Sequence, residues 1–148
     1  MFHKPRKLNQ YRHKGKNLIA TNKIKPEQWH ISEAEAKEAL KAKGYDVKQI
    51  KKIHRLKHQV CISYWDAKGN VCSSFFSYRI FARWQEEAEK LIYTCQTLKE
   101  WAKLNYVMKY EFAYYHYPSE MEDALHEILE NHLCVLKATA QKVVLQDI

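Results

Sequence analysis

Apolar and polar positions change period several times along this chain, and each change predicts an element. Ser32 followed by Glu35 forms an S-x-x-E capping box, and Ala34, Ala36, Ala39, Leu40 and Ala42 carry a helix from there. Gly44 suits the left-handed residue that closes a helix, so the chain is expected to reverse there. From 46 to 58, Val47, Ile50, Ile53 and Leu56 recur at every third residue, as on a helix, yet their β-branching also suits a strand. Both readings stand for this stretch. The clearest hairpin follows: Val60 to Trp65, the turn Asp66-Ala67-Lys68-Gly69-Asn70, then Val71 to Tyr78. Setting Asp66 opposite Asn70 fixes its register. Tyr64 then faces Cys72, Ile62 faces Ser74 and Val60 faces Phe76 on the face expected to be core. Trp65 with Val71, Ser63 with Ser73, and Cys61 with Phe75 fall on the other.

Phe81, Trp84, Ala88, Leu91, Cys95, Leu98 and Ala102 alternate spacings of three and four, predicting one long amphipathic helix from 81 to 104 closed by Asn105. Residues 106–117 then alternate Tyr106, Met108, Tyr110, Phe112 and Tyr114 with Lys109 and Glu111, which favours a strand, with a helix as the other reading. Pro118 ends it. Ser119 and Glu122 form a second capping box, for a helix reaching Val144 with Met121, Leu125, Ile128, His132 and Val135 or Leu136 on one side. The expected fold is α+β: a helix, a three-stranded antiparallel sheet with a central hairpin, a long helix, an aromatic strand and a C-terminal helix. Residues 26–148 are expected to form a single domain, behind a flexible, disordered basic arm at 1–25.

Composition sharpens this picture. With 148 residues, 46% of them hydrophobic, and four Trp, ten Tyr and five Phe, one core can be filled. Three Gly and three Pro are too few for an all-β sandwich or a glycine-rich phosphate loop, and no Walker or dinucleotide fingerprint is present. Neither a signal peptide nor a membrane span is predicted, so a cytoplasmic protein is expected. Cys61, Cys72, Cys95 and Cys134 form no C-x-x-C pair and read as reduced, buried thiols.

Charge changes the picture most. The formal net charge is +8, and residues 1–26 hold eight basic residues (Lys4, Arg6, Lys7, Arg12, Lys14, Lys16, Lys23 and Lys25) and no acid. Interleaved with Phe2, His3, Tyr11 and His13, they resemble in composition arms that neutralise phosphates while a ring settles in a groove or on a base. A second basic cluster, Lys48, Lys51, Lys52, His54, Arg55, Lys57 and His58, runs directly into the hairpin. The candidate nucleic-acid-binding residues are therefore Lys4, Arg6, Lys7, Arg12, Lys14 and Lys16 in the arm, with Lys48, Lys51, Lys52, Arg55 and Lys57 in the cluster. DNA is favoured over RNA.

Helix, three strands, helix over residues 32–104 resembles the double-stranded-RNA-binding domain. That family opens its last helix with phosphate-binding lysines, and Ala82-Arg83-Trp84-Gln85-Glu86-Glu87-Ala88 places acids there, so the resemblance carries no site across. Three strands followed by a helix containing Glu87-Ala88-Glu89 also resembles the arm-binding module of tyrosine integrases, which lays a sheet in the DNA major groove. A third arrangement takes 33–43 and 46–57 as a helix-turn-helix with the hairpin as a wing, placing Lys51, Lys52 and Arg55 on a recognition helix. Motifs single out no family among them.

Catalytic signals are thin. His54 and His58 would share a helical face at metal-ligand spacing, but lysines surround them and no acidic third ligand is near. Tyr114, Tyr115 and Tyr117 beside His116 resemble the nucleophilic tyrosines of DNA-nicking enzymes, whose paired-histidine metal motif is missing here. No catalytic residue, metal or cofactor is assigned. Two alternatives to nucleic-acid binding remain: a protein–protein inhibitor or adaptor of phage or plasmid type, acting through the aromatic segment and the acidic helix after it, and a small metal-independent ribonuclease. A protein partner and a monomeric or homodimeric state are both compatible with the sequence.

Overall fold

Ser32 starts the first helix as the sequence predicts. The computed structural model describes residues 15–146, and its contacts cluster into two compact units: Ile24–Gln85, and the described residues of Met1–Lys23 together with those of Glu86–Ile148. In the Ile24–Gln85 unit, α1 (Glu33–Ala42) is capped by the Ser32 hydroxyl, which accepts from the Glu35 N–H at 3.1 Å. The other half of the box is diverted. Glu35 turns its carboxylate to the Arg83 guanidinium at 2.8 Å instead of reaching back to the cap. At the far end the Gly44 N–H bonds the Lys41 carbonyl and the Tyr45 N–H bonds that of Leu40. This crossed pair needs the positive φ of Gly44, +93°.

The sheet has the order β1-β2-β3 and is antiparallel throughout, with β1 Gln49–Arg55, β2 Gln59–Trp65 and β3 Val71–Ser77. The hairpin register is the predicted one at every pair from Trp65↔Val71 to Val60↔Phe76. Asp66 sets it: its N–H bonds the Asn70 carbonyl at 2.9 Å, and its Oδ1 accepts from the N–H groups of Lys68 and Asn70. Gly69 supplies the positive φ of the bulged turn.

Residues 49–55 are a strand, which removes the helix-turn-helix arrangement. A β-bulge between Ile50 and Lys52 explains the misleading period. Lys51 is an extra residue, so the inward positions are Ile50 and Ile53, three apart instead of two. Ile50, Val60, Ile62, Tyr64 and Phe76 are buried on the inward face, and α1 packs against β1. Trp29, Tyr78, Phe81 and Trp84 complete this core, with Trp29 edge-on to the other three rings at 5.7 to 6.5 Å. The buried Arg79 guanidinium lies over the Trp84 ring at 4.5 Å and bonds the Ser77 hydroxyl.

The predicted long helix is two helices, α2 (Ala82–Thr94) and α3 (Leu98–Tyr114). The break is a third cap, Thr97-Leu98-Lys99-Glu100. The Thr97 hydroxyl accepts from the Glu100 N–H at 3.1 Å, and the Glu100 carboxylate accepts from the Gln96 N–H at 2.9 Å. Consequently 106–114 is helix, in contrast to the strand that its alternation predicts. Helical spacing buries Leu104, Val107, Met108, Glu111 and Phe112 and leaves Tyr106 62% exposed. Helix α4 (Ser119–Gln146) begins with Ser119 already in its first turn, the Glu122 N–H bonding the Pro118 carbonyl. It packs on α3, with the Trp101 indole N–H donating to the Leu129 carbonyl at 2.9 Å. Met121, Leu125, Leu129 and Leu136 are buried along it, and Val135 is exposed.

Residues 17–24 differ from the free arm expected through 25. Asn17, Leu18, Ile19 and Ile24 are buried. The Leu18 N–H donates to the buried Glu111 carboxylate at 3.0 Å, and the Asn17 amide donates to the Tyr115 hydroxyl at 2.7 Å. Three large apolar side chains are thus interspersed among the arm's cations. Of the four free cysteines, Cys95 is buried, Cys61 and Cys72 are half-buried, and Cys134 is exposed, contrary to the expectation of four buried thiols. Among the described residues no helix is long and apolar enough to cross a membrane.

Candidate nucleic-acid interface

Strand β1 carries the second basic cluster as an edge strand with β2 as its only neighbour among the described residues. Lys48, Lys51, Lys52, His54 and Arg55 are exposed on it or at its entry, and Lys57 and His58 are exposed in the turn to β2. No Asp or Glu occurs from 47 to 65. Among the described residues none of Lys48, Lys51, Lys52, Arg55 or Lys57 is in an ion pair. Five exposed cations therefore sit together with no ion-pair partner among the described residues.

The register shows what lies beside them. Side chains alternate across a strand, so Lys52 and His54 of β1 share the outward face with Cys61, Ser63 and Trp65 of β2 and with Val71, Ser73 and Phe75 of β3. Two short hydroxyls fill its centre, Ser63 and Ser73, bonded at 3.1 Å. Phe75 and Val71 stand 58% and 54% exposed toward the β3 edge. Toward β1, the bulge brings the Lys51 ammonium over the Trp65 ring at 5.7 Å. The result is a shallow face, cationic on one side and apolar on the other.

At the end of β1 the Tyr78 hydroxyl donates to the Leu56 carbonyl at 2.5 Å, fixing the start of the β1–β2 turn. Burial pushes its pKa up to about 12, Glu27 adding to the rise and Arg55 opposing it. Burial likewise raises Tyr64 on the inward face, with Cys72 beside it reinforcing the rise.

Of the residues named from sequence, Lys48, Lys51, Lys52, Arg55 and Lys57 are brought together. Lys16 is exposed and belongs to the other unit, while Lys4, Arg6, Lys7, Arg12 and Lys14 lie outside the described residues. His54 and His58 do not share a helical face, since one is on a strand and the other in a turn. His116 lies in the other unit, exposed between α3 and α4. Among the described residues no group of three or more His, Cys, Asp or Glu is arranged to hold a metal. The aromatic segment offers no continuous tyrosine row: Tyr110 and Tyr117 are buried, Tyr114 and Tyr115 are half-buried, and Tyr106 is exposed.

Trp65, Val71 and Phe75 are the residues of this candidate face that charge alone does not mark. The hairpin register already places them on one face, on which Val71 and Phe75 are exposed and Trp65 is half-buried. Compared with protein-family models, curated proteins and solved structures, the chain finds no match.

Proposed function

We propose that this protein binds nucleic acid, duplex DNA in preference to RNA, through strand β1 and the outward face of its sheet. The observation that carries the reading is the run of Lys48, Lys51, Lys52, Arg55 and Lys57 along an exposed edge strand, none of them in an ion pair among the described residues, where they can displace the counterions condensed on a duplex. The short side chains at the centre of the face allow close approach, and Lys52 and His54 sit where they can donate to phosphate or base edges. The DNA major groove is wide enough to admit β-strands such as the basic β1 edge with β2 beside it, whereas the deep, narrow major groove of A-form RNA is not, which favours DNA. The basic residues of the N-terminal segment, Lys4 to Lys16, would add phosphate contacts in the same reading.

Fluorescence anisotropy with labelled duplex DNA, duplex RNA and single strands of equal length, each at the same low and moderate salt concentrations, tests it. Duplex DNA is expected to bind tightest. Equal or tighter binding of duplex RNA or a single strand would overturn the preference, and no binding to any of them at low salt would overturn the proposal.

A further inference from the structure

The two edges of the sheet are built differently. The β1 edge carries Lys48, Lys52 and Arg55 and is kinked by the bulge at Lys51, all devices that discourage a foreign strand from pairing. The β3 edge has none of them. Val71-Cys72-Ser73-Ser74-Phe75-Phe76-Ser77 contains neither charge nor Pro, pairs with β2 without a shift of register, and has no second neighbour among the described residues.

Its hydrogen-bonding direction follows from the turn. The Asp66 N–H bonds the Asn70 carbonyl, so in the alternating antiparallel pattern Cys72, Ser74 and Phe76 turn their main-chain groups toward β2. Val71, Ser73 and Phe75 turn theirs away from it. These same three residues carry their side chains on the outward face, where Val71 and Phe75 are the exposed apolar pair.

From this we infer that the β3 edge is a homodimerisation surface, on which β3 of a second copy pairs antiparallel about a two-fold axis at Ser73. That register is self-complementary. It sets Ser73 against its own counterpart and Val71 against Phe75 twice, so both exposed apolar side chains gain a cross-strand partner in one step, a β-branched residue against an aromatic. Every outward main-chain group of Val71, Ser73 and Phe75 is satisfied in the same register. Shifting it by one residue would set inward-turned groups opposite outward ones, and shifting it by two would set Val71 and Phe75 opposite serines or Gly69. The two three-stranded sheets become one continuous sheet with the basic β1 strands as its outer edges. An interface of two strand edges and four side chains is small, so the dimer is expected to dissociate on dilution. The pairing does not depend on nucleic acid.

Sedimentation velocity over a range of protein concentrations, without nucleic acid, reads the association directly. The wild-type chain is expected to pass from monomer to dimer as concentration rises. A chain with Val71→Lys and Phe75→Lys sets like charges opposite each other and should remain monomeric, as should one with Val71→Glu and Phe75→Glu. An equimolar mixture of the two should form a heterodimer, which requires both to be folded. In the wild type, the amides of Val71, Ser73 and Phe75 should gain hydrogen-exchange protection with concentration. Monomeric wild-type protein at the highest concentration, association of the lysine variant equal to wild type, a mixture that stays monomeric, or concentration-independent exchange at those three amides would each overturn the inference.

Discussion

The fully buried carboxylate of Glu111 accepts a hydrogen bond from the backbone N–H of Leu18, 93 positions earlier in the chain, at 3.0 Å. Its other oxygen accepts from the Tyr117 hydroxyl at 2.5 Å. One side chain in α3 therefore anchors both the N-terminal segment and the chain leaving the helix. Replacing it with alanine strands two donors in the interior, at roughly 1–3 kcal/mol each. Glu111→Ala is expected to lose about 3 kcal/mol or more in chemical denaturation, and Glu111→Gln, which keeps an acceptor and can turn its amide to the Tyr117 hydroxyl, clearly less. Equal stability of Glu111→Ala and wild type would show that the anchor contributes nothing.

The second prediction concerns alkaline pH. The Tyr78 hydroxyl ionises near 10 when the chain is unfolded and at about 12 when folded. A pKa raised on folding favours the folded state fully below the unfolded value, and that contribution is lost as pH rises from about 10 to about 12. Denaturant midpoints measured across this window should fall more steeply for wild type than for Tyr78→Phe. Tyr64, raised in the same direction, leaves a residual slope in the variant. Parallel curves for the two proteins would contradict the assignment.

Thiol reactivity gives the third. Cys95 is buried and donates to the Leu91 carbonyl at 3.5 Å. Burial raises its pKa, Glu100 adds to the rise and Lys23 opposes it. Cys134 is exposed on α4. Under limiting iodoacetamide, mass spectrometry should find Cys134 modified first and Cys95 last, because the thiolate is the nucleophile. Early modification of Cys95 would mean that this part of the second unit opens readily.

Local chemistry makes the hairpin legible to the last pair, because Asp66, Gly69 and Asn70 specify their turn without help from the rest of the fold. Strand β1 is ambiguous in sequence for a physical reason: the bulge at Lys51 turns a two-residue period into a three-residue one. The aromatic segment mimics a strand because Tyr106, Met108, Tyr110 and Phe112 alternate, and only the cap at Thr97 and Glu100 upstream marks it as part of a helix. In residues 17–24 charge outweighs the apolar signal, and their anchor at Glu111 is too distant in sequence to be seen. At the candidate site the cations are visible directly. The apolar half of the face, Val71 and Phe75 beside Trp65, emerges only when register and exposure are taken together.

The salt dependence of DNA binding tests the central claim most directly, because each neutralised phosphate adds a fixed increment to the slope. Wild type and a Lys51→Gln, Lys52→Gln, Arg55→Gln variant should be titrated against one duplex over a series of salt concentrations. Exposed charges contribute little to stability, so the variant is expected to melt within a few degrees of wild type. Each phosphate that the variant leaves unneutralised removes about 0.9 from the slope of log K against log salt, which should therefore be flatter by roughly 2 to 3 units. Equal slopes and affinities for the two folded proteins would contradict the account and remove β1 from the interface.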